Sequence, residues 1–150
     1  MAKPVVLYLC TGNSARSQMA EALLKRNAPD RFEVYSAGLD PQGINPLTIQ
    51  VLNELGIDIS DQRSKSVSEF LGKVAITHAL FVCANAEERC PSIYPFALNK
   101  HSWPFDDPAA CAGSDAEKLD EFRRIRDEID ARICEWLSES TPLQDAQEVM

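Results

Sequence analysis

The sequence has no long apolar stretch, since its longest unbroken runs, Val5 to Cys10 and Ala79 to Ala84, are six residues each. A membrane-spanning helix needs roughly 18 or more, so none is expected. Positive charge is in short supply too, with 15 Lys and Arg against 23 Asp and Glu and a net charge of −8. That balance repels phosphate backbones and anionic lipid surfaces at long range, which argues against general nucleic-acid or membrane binding and leaves room only for a local basic anion site. Histidine is scarce: His78 and His101 are the two, and neither stands at ligand spacing from a cysteine pair. The Cys83-x6-Cys90 spacing is also wider than structural zinc sites use, so no zinc is expected. No Gly-Lys-Ser/Thr follows a strand and no G-x-G-x-x-G occurs, which excludes Walker and dinucleotide loops. The N-terminus shows no small-residue cleavage pattern, so no secretory leader is expected and the protein is placed in the cytoplasm.

What is there suits one globular domain: 45% hydrophobic and 25% charged residues over 150 positions, long enough to bury roughly two thirds of the unfolded surface. Five cysteines, Cys10, Cys83, Cys90, Cys111 and Cys134, are an odd number. In a cytoplasmic chain they suggest catalysis, redox work or metal before a disulfide framework. There is no internal repeat and no low-complexity linker. Short apolar runs alternate with helical periodicity, the pattern of an α/β domain built on a parallel sheet.

Val5 to Leu9 reads as a buried strand, Cys10 to Ser17 as a polar turn, and Gln18 to Asn27 as a helix. Phe32 to Ala37 is the second strand, and Asn45-Pro46 opens a helix that Gly56 ends. Ser66 to Val74 reads as helical, His78 to Val82 as the third strand and Phe96 to Lys100 as a short fourth. A long helix follows from about Ser114 to Leu137, with Phe122, Ile125, Ile129, Ile133 and Trp136 on its inner face. The domain is therefore drawn as residues 1–137, and 138–150 as a polar C-terminal tail. His78, on an apolar strand, reads as a core or strand-rim residue. Cys111 and Cys134 have no role beyond structure.

The chemistry gathers in Cys10-Thr-Gly-Asn-Ser-Ala-Arg16-Ser17, a thiol at a strand end with an arginine six residues on at a helix start. Taken singly, Cys10 would be a buried strand-end thiol and Arg16 a surface helix residue. Strand, Cys-x5-Arg-Ser and helix together make an anion cradle: the backbone N–H groups of Thr11, Gly12, Asn13, Ser14 and Ala15 turn inward, and Arg16 adds a bidentate pair. The same field favours a thiolate at Cys10, with Ser17 donating to the sulfur.

This loop resembles that of the low-molecular-weight protein tyrosine phosphatase family, and the wider residue set is similar to its thioredoxin-coupled arsenate reductases. The likeness spans about residues 4 to 137 and rests on Cys10 to Glu21, Tyr35-Ser-Ala-Gly38, Asn45-Pro46, Ile57 to Ser60, Cys83-x6-Cys90-Pro91 and Trp103 to Pro108. It implies a three-layer α/β/α fold with a four-stranded parallel sheet. It also implies reduction of arsenate to arsenite by a relay through Cys10, Cys83 and Cys90, with thioredoxin as reductant, Asp107 as proton donor and no cofactor. Some members hold potassium through positions matching Asn13, Glu21, Ser36 and an acidic residue where this chain has Lys65, whose ammonium group would take the cation's place. Ala109 stands where the phosphatases usually carry an aromatic residue, and a phosphatase needs one thiol rather than three.

Cys83 and Cys90 would lie about 10.5 Å apart along a continuous helix, too far for a disulfide, whose Cα atoms sit roughly 4.4–6.8 Å apart. The segment between them is expected to be partly helical when reduced and looped out when oxidised. The alternatives are a tyrosine phosphatase or small phosphomonoesterase, and a phosphocysteine carrier or oxyanion-binding regulator. A monomer is expected.

Overall fold

The computed structural model describes residues 3–70, 73–83 and 97–149. Cys90 and the expected helix between it and Cys83 lie outside the described residues. Four strands, β1 (Val5–Cys10), β2 (Glu33–Gly38), β3 (His78–Phe81) and β4 (Asn99–Ser102), form one sheet in the order β2-β1-β3-β4. Every pairing is parallel. Val6, Leu7, Tyr8 and Leu9 of central β1 are all fully buried. Successive side chains on a strand point to opposite faces, so both faces of the sheet are covered, as parallel sheets require.

Three helices complete the described fold: α1 (Arg16–Asn27), α2 (Pro46–Asn53) and α3 (Asp115–Val149). Helix α1 packs between the sheet and α3, which is why Ser17 to Leu24 are buried without a break. The Asn45 side chain accepts from the Leu47 N–H at 2.9 Å and Pro46 takes the first helical position, as the sequence indicates. Phe122, Ile125, Ile129, Ile133 and Trp136 are buried along α3.

Several boundaries differ from expectation. Where a helix is expected over Ser66 to Val74, the described residues form a single 3₁₀ turn, Val67–Glu69. Ser66 is extended and bridges Gly38 at the end of β2; that tether, with Val67 and Phe70 buried three residues apart, is met by one tight turn. Strand β4 begins at Asn99, later than Phe96, because this edge strand is polar and carries no apolar signal. Helix α1 starts at Arg16, two residues early, and the α3 backbone stays helical to Val149, beyond the Leu137 at which apolar periodicity stops.

Candidate active site

In parallel α/β sheets the crevice at the carboxyl ends of the strands is the natural binding place. Cys10 ends β1, and the next five residues wrap back to the start of α1 at Arg16. The loop's conformation follows from where its carbonyls go. Cys10 O accepts from Leu39 N (3.2 Å), Thr11 O from Asp40 N (2.8 Å), Gly12 O from Gln42 N (2.9 Å) and Ser14 O from Asn45 N (3.1 Å). Asn13 O accepts from Gln18 Nε2 at 3.2 Å, and Ala15 O enters the α1 ladder through Met19 N at 2.9 Å. With all six oxygens held by other segments, the N–H groups are left to the opposite side. Among the described residues, those of Gly12, Ser14 and Ala15 have no acceptor.

Two positions allow so tight a wrap. Asn13 adopts the left-handed conformation, φ 48°, which asparagine tolerates better than most residues. Gly38 lies directly against the loop: a Cβ there would sit 2.7 Å from Thr11 O and 2.8 Å from Asn13 N. A side chain is therefore excluded.

The Cys10 sulfur is buried and takes two polar contacts, from the Asn13 N–H at 3.3 Å and with the Ser17 hydroxyl at 3.2 Å. Asn13 itself is fully buried and does not face the cavity. Its Nδ2 donates to Ser17 Oγ (2.8 Å) and Ser36 Oγ (3.0 Å), while its Oδ1 accepts from Lys65 N (2.9 Å) and Gln18 Nε2 (3.0 Å). Ser36 passes the chain on to Glu21 at 2.6 Å. Glu21 is met by two ammonium groups, Lys25 at 2.6 Å and Lys65 at 3.7 Å. Burial pulls Lys65 below the usual lysine range while Glu21 pulls it back up; the Arg63 carbonyl accepts from its Nζ at 3.0 Å.

Above the thiol lies a cavity of about 330 Å³ lined by Cys10, Thr11, Gly12, Ser14, Ala15, Arg16, Asp40, Gln42, Asp107 and Ala109. Arg16 is anchored by donating to the Phe105 carbonyl at 3.0 Å and faces Asp107 at 3.8 Å. Asp107 accepts from the Ala109 N–H at 3.0 Å, which fixes its carboxylate at the head of a short 3₁₀ turn, Pro108–Ala110. Cys83, one residue past the described end of β3's bonding to β1, brings its sulfur to 3.4 Å from Thr11 Oγ1. A larger cavity of about 620 Å³ shares Ala109 but holds no thiol.

The structure thus gathers Cys10, Arg16 and Asp107 around one cavity, with Ser17 bonded to the Cys10 sulfur beneath it, Cys83 against Thr11, and Asn13, Glu21, Ser36 and Lys65 as the buried support. Two lining residues, Asp40 and Gln42, were not anticipated. Asp40-Pro41-Gln42-Gly43 reads as a plain turn, and only its bonds to the cradle bring it to the site. Among the described residues no group of three or more His, Cys, Asp or Glu side chains is placed to hold a metal.

A buried thiol beneath inward-facing amides, with an arginine and the Asp107 carboxylate facing each other across the opening, on a parallel sheet, defines the class of cysteine-dependent enzymes that act on tetrahedral oxyanions. Within that class the chain belongs to the low molecular weight phosphotyrosine protein phosphatase family, whose model matches residues 5–148. It is similar to an arsenate reductase of Halalkalibacterium halodurans, 46% identical over 134 residues, covering 89% of this chain and 94% of that one. An arsenate reductase of Shouchella clausii is 45% identical over 136 residues with the same coverage. Among solved structures, the Corynebacterium glutamicum thioredoxin-dependent arsenate reductase superposes with a TM-score of 0.73 at 33% identity, over 95% of this chain and 64% of that one.

Proposed function

We propose that the protein is an arsenate reductase that works by a three-thiol relay and is recharged by thioredoxin. The observation that carries this reading is the second thiol at the cradle: Cys83 Sγ stands 3.4 Å from the hydroxyl of Thr11, the residue next to Cys10. Hydrolysis of a phosphate ester needs no such neighbour, because no electrons move. Reduction of arsenate needs two.

The Cys10 thiolate attacks arsenic, forming an S–As bond as one oxygen leaves as water. Asp107 supplies the proton to the departing oxygen, while Arg16 and the amides of the loop hold the remaining oxygens. The Cys83 thiolate then attacks the Cys10 sulfur. An S–S bond forms, the S–As bond breaks with its electron pair remaining on arsenic, and arsenite leaves. Cys90 attacks Cys83 in turn, which frees Cys10 and moves the disulfide to the Cys83–Cys90 pair. A dithiol, thioredoxin, returns two electrons and the chain starts again. The reaction is placed in the cytoplasm, on a monomer, with no cofactor.

On the same reading Lys65 serves as a built-in cation. Its ammonium beside Glu21 supplies the positive charge that ties Ser36, Asn13 and Ser17 into one network under the thiol.

The test is a disulfide map by mass spectrometry of reduced protein incubated with arsenate alone, with phosphate as control. Loss of two thiols only with arsenate, found as Cys83–Cys90, is the expected result. Survival of every thiol would overturn the reductase and leave a phosphatase of the family as the working function.

A further inference from the structure

The cradle's rim carries two carboxylates of different standing. Asp107 is faced by Arg16 at 3.8 Å and caps its own turn. Asp40 lines the same cavity, yet among the described residues its carboxylate has neither a hydrogen bond nor an ion pair. The backbone that carries it is nonetheless fixed. The backbone of its segment is bonded to the loop at Leu39 N, Asp40 N and Gln42 N, Gln42 Nε2 folds back to the Asp40 carbonyl at 3.1 Å, and Gly43 N donates to Ser64 Oγ at 3.1 Å. An uncompensated negative charge is thus carried on an anchored backbone at the mouth of a site that binds anions.

We propose that Asp40 is a specificity-determining residue, a charge filter that admits the free tetrahedral oxyanion and rejects oxyanions whose attached group carries further negative charge. A free oxyanion places all its charge inside the cradle, against Arg16 and the amides. An ester or phosphonate leaves its organic part at the mouth, within Coulomb range of Asp40. Negative organic groups are penalised there, neutral ones are indifferent, and cationic ones are favoured. The inference shares with the proposed function only the binding of a tetrahedral oxyanion at the cradle; it does not depend on reduction.

The experiment measures binding by isothermal titration calorimetry to the reduced full chain, using benzylphosphonate, 4-carboxybenzylphosphonate, 4-(aminomethyl)benzylphosphonate and inorganic phosphate. None of the phosphonates can be hydrolysed. At low ionic strength the wild type is expected to bind the amine tighter than the carboxylate by about tenfold, a spread that shrinks on adding salt. Asp40→Asn should narrow the spread to under about threefold, since one rim charge is gone, and Asp40→Glu should retain it. Inorganic phosphate should bind Asp40→Asn at least as tightly as wild type. A wild type without the spread, a spread unchanged in Asp40→Asn, or loss of phosphate binding in Asp40→Asn would each overturn the proposal. Arsenate-dependent thiol loss, assayed separately, decides the reductase reading whichever way the phosphonate series falls.

Discussion

The two loops that meet over Cys10 are built on opposite terms. The segment from Cys10 to Ala15 has every carbonyl bonded to another part of the fold and buries Asn13 completely. The segment from Trp103 to Pro108 is tied to the end of β3 by Trp103 N donating to Phe81 O at 2.8 Å and to the next residue by Phe105 N donating to Val82 O at 3.2 Å, and beyond those bonds Asp106 and Asp107 face solvent, Asp107 at 46% side-chain exposure. The half that holds the anion is finished before any ligand arrives. The half that carries the acid leans on Arg16, which bonds to Phe105 O and faces Asp107. A rigid cradle suits electrostatic stabilisation, which is strongest when donors need no reorganisation, whereas an acid must reach and release a proton.

The contrast is broken most sharply at Asp107. Asp107→Asn is expected to lower arsenate turnover by roughly 10²–10⁴-fold, the span for losing a general acid, while inorganic phosphate binds within a few-fold of wild type. Steady-state arsenite production and phosphate titration check the two halves separately. Equal loss of binding and turnover would mean that the acid loop helps to build the cradle.

Gly38→Ala attacks the rigid half instead. Its Cβ meets backbone atoms at 2.7 and 2.8 Å, so overpacking should cost about 1–3 kcal/mol in urea-induced unfolding, and phosphate affinity should fall with it. Lys65→Met removes one of the two cations at buried Glu21, with an expected loss of about 1–3 kcal/mol, while wild-type turnover should be the same in sodium and potassium buffers. Clear potassium activation of the wild type would sink the idea of a built-in ammonium.

The smallest effect is expected outside both loops. His78 Nδ1 and His101 Nε2 stand 3.1 Å apart, both rings packed edge-on to Trp136. Burial, and then the neighbouring His101, pull His78 down from 6.5 to about 4. The unfolded chain therefore binds the extra proton between pH 6.5 and about pH 4. Stability contributed by the pair is fully present above that window and is lost as pH falls through it. Because the ring is only half buried, solvent screening holds the loss to a fraction of the full shift. His78→Gln should flatten this stretch of the urea midpoint against pH, leaving phosphate affinity per folded molecule unaffected.

The cradle was legible in the sequence because its parts are contiguous. Cys10, Gly12, Asn13, Arg16 and Ser17 lie within eight residues, and a strand before and a helix after them fix the geometry. Asn45-Pro46 was legible for the same reason, as a cap and a first-turn proline are local signals. Asp40 and Gln42 were not, because their place at the rim is set by bonds to Thr11 and Gly12 across the fold. Strand β4 was misplaced because it is held by backbone pairing with β3 and not by an apolar face of its own. The turn at Val67 likewise depends on Ser66 being pulled extended against Gly38, a tertiary constraint that overrides helical composition.

The outward anchoring of the loop's carbonyls couples oxyanion supply to folding. Unfolding releases those carbonyls and scatters the amides, so the unfolded chain has no cradle, and every bound anion weights the native state by RT ln(1 + [L]/Kd). At a hundred dissociation constants of free phosphate that amounts to about 2.7 kcal/mol. The melting temperature of the reduced protein is therefore itself an oxyanion meter, rising with the logarithm of the concentration once the site is filled.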